Sequence, residues 1–522
     1  MNFLRPACIA LLTLAIAAVL AAGESTPAYA ATFTVNSTAD AVDVSPGDGA
    51  CATAAGDCTL RAAIQEANAL AGPNTVALPA GTYTLSIPGT NEDAAATGDL
   101  DVTEDLILTG AGATTTIIDG NHLDRVLNIR ISVTARVSGV KIENGEVGSQ
   151  AFQGAGIGNF GDLTLTDSIV TGNAAVEAGG IFNLFGTLQM NNVTVSDNTA
   201  TLNVGGISNQ GNAILTNVSV SGNEAASFGG GIENGGSLNL TDSAVSSNTA
   251  LLGGGILNAG TLAVAASTIK GNNAVDVGGG IFNFNVPLTI TRSIISGNGA
   301  GDLGGGIANE GGSLALVNST VSGNIANEGA GIHNTGSAVL ANGTVSSNVG
   351  SLQGGGIFND GSVTLKNTIV ANNNGGDCAN LPVTSDGHNL DSDGSCALGG
   401  PGDISSTDPQ LAPLAHNGGP TLTHALLAGS PAIDAGDNDD CPPTDQRGLA
   451  RPTGSGCDIG AYEVGSLPVG GIVELPVAID SATDAAASSA ARAYAAPIAG
   501  VGVAVLIALA AGGWHASRRW LR

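Results

Sequence analysis

Aromatic side chains make up only 3% of the sequence, and both tryptophans, Trp514 and Trp520, stand at its extreme C-terminus. That argues against a core built on large rings and against a sugar site made of tryptophan platforms in the body of the chain. Charge is scarce as well, at 11% of residues against the roughly 25% of an ordinary globular domain. Positive charge is scarcest: 15 Lys and Arg stand against 44 Asp and Glu, a formal net charge of -29. Such a surface repels phosphate backbones and anionic headgroups, which argues against a nucleic-acid partner and reads as solubility outside a cell. The three lysines, Lys141, Lys270 and Lys366, follow Val, Ile and Leu, so no glycine-lysine phosphate loop exists and no nucleotide is expected. Six dispersed histidines, His122, His333, His388, His416, His424 and His515, give no Ser/His/Asp constellation.

Cysteine is limited to seven residues, with no CxxC pair and no histidine at ligand spacing, which argues against a zinc site. Cys8 lies in an N-terminal stretch that reads as an export signal: Arg5, an apolar run from Ala7 to Ala22, then Ala28-Tyr29-Ala30, cleavable before Ala31. The six that remain fall into neighbouring pairs, Cys51 with Cys58, Cys378 with Cys396 and Cys441 with Cys457, one of the 15 connectivities that six cysteines allow. An even count suits an oxidising compartment. At the other end, Ala495 to Gly513 runs without a charge, about 28 Å as a helix. Tyr494, Trp514 and Trp520 flank it and Arg518, Arg519 and Arg522 follow, the pattern of a transmembrane anchor that leaves the bulk of the chain extracytoplasmic.

What the chain does have is glycine, 79 residues of it, and small apolar side chains. Both belong to a repeat. An isoleucine recurs at 157, 181, 207, 232, 256, 281, 307, 332 and 357, in steps of 24 to 26 residues, usually after two or three glycines. Two residues later stands Asn159, Asn183, Asn209, Asn234, Asn258, Asn283, Asn309, Asn334 or Asn359. A second series keeps the same beat at Asn173, Asn198, Asn223, Asn248, Asn272, Asn298, Asn324, Asn348 and Asn373. A unit such as GGGIANEGGSLALVNSTVSGN alternates apolar and polar residues between Gly and Asn turns, with no room for a ten-residue helix. The period predicts an all-β parallel β-helix with about 25 residues and three short strands per coil. Like asparagines in successive coils then stack about 4.8 Å apart and form amide ladders. The glycines mark corners.

The Gly-Gly-Ile-x-Asn repeat with its Ser-Gly-Asn partner, over residues 151–375, resembles the repeats of polymorphic outer membrane proteins and similar right-handed β-helix surface proteins. The resemblance implies a pectin-lyase-like solenoid. CTLRAAIQEAN, from Cys58 to Asn68, resembles the CSLREA motif of bacterial secreted β-helix proteins; it also places Leu60, Ile64 and Ala67 on one face of a short helix that caps the first coil. DPQLAPLAHNGGPTLTHALLAGSPAIDAG and DQRGLARPTGSGCDIGAYE, within Asp408 to Glu463, resemble a choice-of-anchor Q domain, which implies attachment to a cell surface.

The expected organisation is a signal peptide over 1–30, a cap and first coils over 31–150, the nine-repeat β-helix over 151–375, and a disulfide-containing region over 376–463. A linker over 464–493 and a transmembrane anchor with a basic tail over 494–522 follow. No catalytic or cofactor-binding residue is assigned. Calcium is the one metal considered, at Asp391-Ser392-Asp393-Gly394 and at Asp437 to Asp440 with Asp445. The acidic residues of the repeats, such as Glu177, Glu224, Asp276, Asp302 and Glu328, are expected in loops. The residue between Ile and Asn, which is Phe182, Phe282 or Phe358 in some copies and Glu233 or His333 in others, is expected to face solvent. The leading expectation is a non-catalytic adhesin or envelope protein with an extracellular glycan or protein ligand. The alternative is a polysaccharide lyase or hydrolase whose site is assembled from loops between Asp99 and Gly148 or from the C-terminal region.

Overall fold

The computed structural model describes residues 30–465, apart from 91, 149–153 and 381. The leader and the terminal anchor fall outside them, as does nearly all of the linker; among the described residues no helix is long and apolar enough to cross a membrane. Those residues wind into a parallel β-helix of about 11 turns with about 25 residues per turn. Their strands form three sheets of 24, 12 and 9 strands, paired in parallel from coil to coil.

One coil shows why the sequence closes this way. Ile281–Phe284 lies in the 12-stranded sheet, and Pro287–Thr291 and Ile294–Ser296 both lie in the 24-stranded sheet. Gly299–Ala300 belongs to the 9-stranded sheet, and three glycines then lead into Ile307. The repeat predicts three strands per turn; the structure has four segments, because Arg292 sits at φ 50° and bends the long sheet. The same left-handed corner recurs at Asp167, Asn192, Asn217, Asp242, Ala266, Asn318, Asn342 and Asn367. Asn and Asp tolerate that region better than other side chains, which is why they dominate the series.

Inside each coil, alternation fills a narrow core. In Ser313–Val317, Leu314 and Leu316 are buried and Ser313 is exposed. The isoleucines stack directly, Ile281 beside Ile256 and Ile307, all fully buried. At the corner the glycines are obligatory: Gly278 has φ +72°, and a Cβ on Gly280 would lie 2.5 Å from the Gly306 carbonyl oxygen.

The two asparagine series form continuous amide ladders. In the first, each Nδ2 donates to the Oδ1 of the next coil, from Asn159 to Asn183 at 2.6 Å through Asn334 to Asn359 at 3.0 Å. The second runs the same way, and its direction is fixed by the backbone. Asn248 Nδ2 donates to Asn272 Oδ1 (2.9 Å) and to the Val220 carbonyl (3.0 Å), while its Oδ1 accepts from both nitrogens of Asn223. This ladder is closed at its ends. The Gly145 N–H donates to Asn173 Oδ1 at 2.8 Å, and Asp377 Oδ1, which can only accept, receives both nitrogens of Asn373.

Before the repeats, the helix Leu60–Ala69 starts at Thr59, whose side chain accepts from the Ala62 N–H, and its Leu60, Ala63, Ile64 and Ala67 join the solenoid core. Disulfides join Cys51 to Cys58, Cys378 to Cys396 and Cys441 to Cys457, which fits an extracellular or oxidising environment. After the last coil the chain returns along the outside of the long sheet. Thr320 Oγ1 donates to Gln446 (2.6 Å), His424 Nε2 meets Ser322 Oγ (2.9 Å) and Asn318 Nδ2 donates to the Thr444 carbonyl (2.8 Å). Outward residues Ile294, Thr320, Thr344 and Ile369 are buried for this reason, whereas their equivalents Thr194, Ser219 and Ala244 are not. Ile369, Ala371 and Leu390 complete a second core with Leu426, Ala432 and Ile459.

Asn248→Ala should cost on the order of 3 kcal/mol, since it strips buried groups on both neighbouring coils of their partners. Asn239→Ala, on the exposed side of a strand, should stay within about 0.5 kcal/mol by the same denaturant titration. Equal losses would show that the ladder adds nothing to stability.

Candidate functional site

The position between Ile and Asn does not face solvent. Phe182, Phe282 and Phe358 are about 4% exposed or less, Glu233 is 6% exposed and His333 is fully buried. The chain that precedes each glycine corner folds over this side of the strand. Phe228, Leu252, Val277, Leu303 and Glu328 form a covering row of parallel bridges, and a Cβ on Gly278 would lie 2.6 Å from Phe282 Cβ. The variable residue therefore fills a second, lateral core, the phenylalanines included. Glu177, Glu224, Asp276 and Glu328 likewise lie in strands of the nine-stranded sheet rather than in loops, with Glu328 buried beneath its neighbours.

Two copies place ionisable groups in this lateral core. Burial raises the Glu233 carboxyl to about 7, the nearby charge of Glu177 adds to the rise, and Ser208 Oγ, 3.5 Å away, opposes it. His333 stacks on Phe358 with ring centroids 5.2 Å apart, and its Nδ1 lies 3.0 Å from Glu310 Oε1. Glu310 Oε2 accepts from Thr335 Oγ1 at 3.0 Å.

Followed toward the N-terminus, the same row passes from Phe182 through Gly158 and Asn128 to Asp101. Here the sequence had pointed only to a region, Asp99 to Gly148. The Arg125 guanidinium lies over Gly158, where a Cβ would meet Nη1 at 2.7 Å, and Nη1 stands 3.8 Å from Asp99 Oδ2. Asp101 Oδ1 accepts from Asn128 Nδ2 at 2.7 Å. Burial, with the charge of Asp101, raises Asp99 to about 8 against the pull of Arg125; burial also raises Asp101 to about 6. Carboxyls that hold a proton near neutrality beside an arginine resemble an acid catalyst, yet Asp99, Asp101 and Arg125 are all buried.

The covering loop is pinned by Arg61. From the first turn of the helix it donates to the carbonyls of Ala95 (3.1 Å), Asp99 (3.3 Å) and Gly98 (2.8 Å) and pairs with Asp40 at 2.6 Å. Asp40 in turn accepts from the N–H groups of Ser86 and Ile87. The signal for this role was a lone arginine inside the apolar stretch LRAAI.

The two acid clusters considered for calcium are occupied by the chain's own donors. Asp391 accepts from the N–H groups of Cys396 and Ser406, and Asp393 from Ser395 and Asp377. Asp437 pairs with Lys366 at 2.7 Å, whereas Asp445 is buried against Arg447 at 2.6 Å. Among the described residues no group of three or more His, Cys, Asp or Glu side chains is placed to hold a metal ion. Asp445, Arg447, Arg451, Asp458 and Glu463, from the DQRGLARPTGSGCDIGAYE stretch, form one buried network. In it Arg451 Nε lies 3.1 Å from Glu463 Oε2, and Arg447 stacks over the Tyr462 ring at 3.7 Å. Its role is to tie this segment together and to the solenoid, for Arg451 Nη1 also reaches Asn318 Oδ1 at 3.4 Å.

No family model matches the chain, and no curated protein matches it. Among solved structures it aligns with pectate lyase Pel9A, at 14% identity and a TM-score of 0.34, over 84% of this chain and 98% of that one. Both are parallel β-solenoids, and a likeness this distant carries no argument about activity.

The first half of the long sheet is open to solvent, where Thr187–Asn191, Asn212–Thr216, Ser237–Thr241 and their successors turn alternate side chains outward; outward residues of the nine-stranded sheet, such as Val275 and Ile325, are exposed as well.

Glu233→Gln tests the lateral core. Below about pH 4.5 the carboxyl is protonated whether the chain is folded or not, so the variant should match the wild type. Between there and about 7 the unfolded chain loses its proton first, which lowers wild-type stability as pH rises. By pH 8 the variant should be the more stable by on the order of 2 kcal/mol in denaturant midpoints. A pH-independent difference would place Glu233 in water.

Proposed function

We propose that this chain is a non-catalytic β-helix protein of the extracytoplasmic space that serves as an adhesin or envelope interaction protein. One observation carries the reading: the carboxyls raised to values near neutrality, Asp99, Asp101 and Glu233, are enclosed, while the exposed long sheet presents hydroxyls, amides and small apolar groups. An enclosed carboxyl is out of a substrate's reach, and catalysis needs one that a substrate can reach. Export by the leader, surface attachment through the choice-of-anchor Q-like region and retention by the terminal helix complete the proposal. The helix Leu60–Ala69 then closes the first coil, and the CSLREA-like Arg61 locks the loop beside it. The disulfides agree with a site of action outside the cytoplasm.

A second reading follows from the Asp99, Asp101 and Arg125 cluster, which would become a polysaccharide-cleaving site if the loop held by Arg61 opened. Incubation of the full chain with a panel of polysaccharides and matrix proteins separates the two, with retention and release of reducing ends measured together. The expected outcome is retention on at least one partner without release. Release that disappears in an Asp99→Asn, Asp101→Asn double variant would establish the enzyme instead.

A further inference from the structure

We propose that the exposed first half of the 24-stranded sheet is a docking face for a neutral, extended, β-linked polysaccharide. This rests on the reading of the chain as a surface interaction protein and names the face and the class of ligand.

Charge comes first. From Thr187–Asn191 to Ser337–Ala341, seven successive coils place no charged side chain on these strands, although the chain carries a net -29. The face therefore offers nothing to a polyanion or a polycation, while a neutral partner meets no desolvation of charge on docking.

Chemistry comes second. Register aligns Thr187, Asn212, Ser237 and Thr261 in one outward row and Asn191, Thr216 and Thr241 in another. Between them runs a mixed strip in which Ile214 is 38% exposed and Val339 50% exposed, with Ala263 and Ala315 in the same row. The hydroxyls of Thr187, Ser237, Thr261 and Ser313 make no hydrogen bond within the described residues. The hydroxyls and amides of these rows, with Asn239 and Thr289 between the apolar residues of the central strip, suit a sugar ring, whose faces are C–H and whose edges are hydroxyl.

Geometry comes third. The coils repeat every 4.8 Å or so, giving a flat face about 30 Å long and about 13 Å across. An extended β-linked chain advances by close to one coil spacing per sugar, so a stretch of about six units presents its hydroxyls in step with the rows. Without aromatic platforms each contact is weak, and affinity grows with the number of coils engaged.

The full chain should co-sediment with insoluble neutral polysaccharides that are extended ribbons (cellulose or chitin) and leave polygalacturonate unbound. Asn239→Asp and Thr289→Asp together, and separately Asn239→Lys, should each weaken retention about ten-fold, since either sign buries charge against a neutral ligand. Thr201→Glu, on the nine-stranded sheet, should leave it unchanged. Hydrogen exchange on the unmodified protein gives a second readout that does not depend on the variants folding: oligosaccharide should protect residues 237–241 and 287–291. Absence of retention on every neutral polymer, or retention insensitive to both face variants without such protection, overturns the proposal. Light scattering that finds a dimer broken by the same variants, with no polysaccharide retained, assigns the face to a second copy and overturns it too. Capture of some other ligand through another face leaves the surface interaction reading standing and sinks only this one; reducing-end release abolished by the Asp99→Asn, Asp101→Asn pair sinks both.

Discussion

A side-chain amide that donates to the coil on one side and accepts from the coil on the other is the contact on which the solenoid depends. Parallel strands alone would fix the spacing of coils, but the turns between sheets carry buried backbone groups with no strand partner. Asn173, Asn198, Asn223 and their successors supply those partners, each binding a backbone N–H, a backbone carbonyl and the next amide. The arrangement has a direction, so its ends need different closures. Asp377 serves at one end because a carboxylate accepts twice and donates nothing. Among the described residues the first ladder has no such closures, and Asn159 Oδ1 and Asn359 Nδ2 have no hydrogen-bond partner there.

A coil this narrow cannot place its whole hydrophobic content inside, and a second layer results. Residues between Ile and Asn point away from the axis yet are sealed by the chain that approaches the glycine corner. This lateral core holds Phe282, Ala308, His333 and Phe358 in successive coils, each packed on its neighbours in the row, as His333 stacks on Phe358. The same tolerance admits carboxyls at Asp101 and Glu233, whose protonation shifts because burial disfavours their charge. The displaced pKa values of Asp101 and Glu233 are thus a by-product of stacking variable residues under a cover. The first half of the long sheet has the opposite property: it is uncovered and, over seven coils, uncharged.

Much of the solenoid was legible before any coordinate. The isoleucine and asparagine periods gave coil length, parallel stacking and the amide ladders, since a residue that must touch its own copy every turn has to recur every turn. The corner at Asp167, Asn192, Asn217 and Asp242 carried the same beat and escaped notice, because seven of its nine positions hold Asn or Asp but Ala266 and Arg292 interrupt the series. Arg61 was harder to read. Three of its partners are backbone carbonyls more than thirty residues away, which leave no mark in side-chain identity, and the fourth, Asp40, stands 21 residues before it.

The side of the strand on which Phe282 ends up was misread for a related reason. Alternation assigns inward and outward with respect to one strand, and in a single sheet outward means solvent. Only the tertiary path, with Val277 and Gly278 brought back across Phe282, turns an outward residue into a buried one. The return of the C-terminal segment does the same to Thr320, Thr344 and Ile369 while leaving Thr194 and Ser219 open. What recurs in the sequence determined the coil, because stacking is a nearest-neighbour relation written once per turn. What covers the coil, and hence which surface is left for a partner, was decided by contacts between segments that share no period.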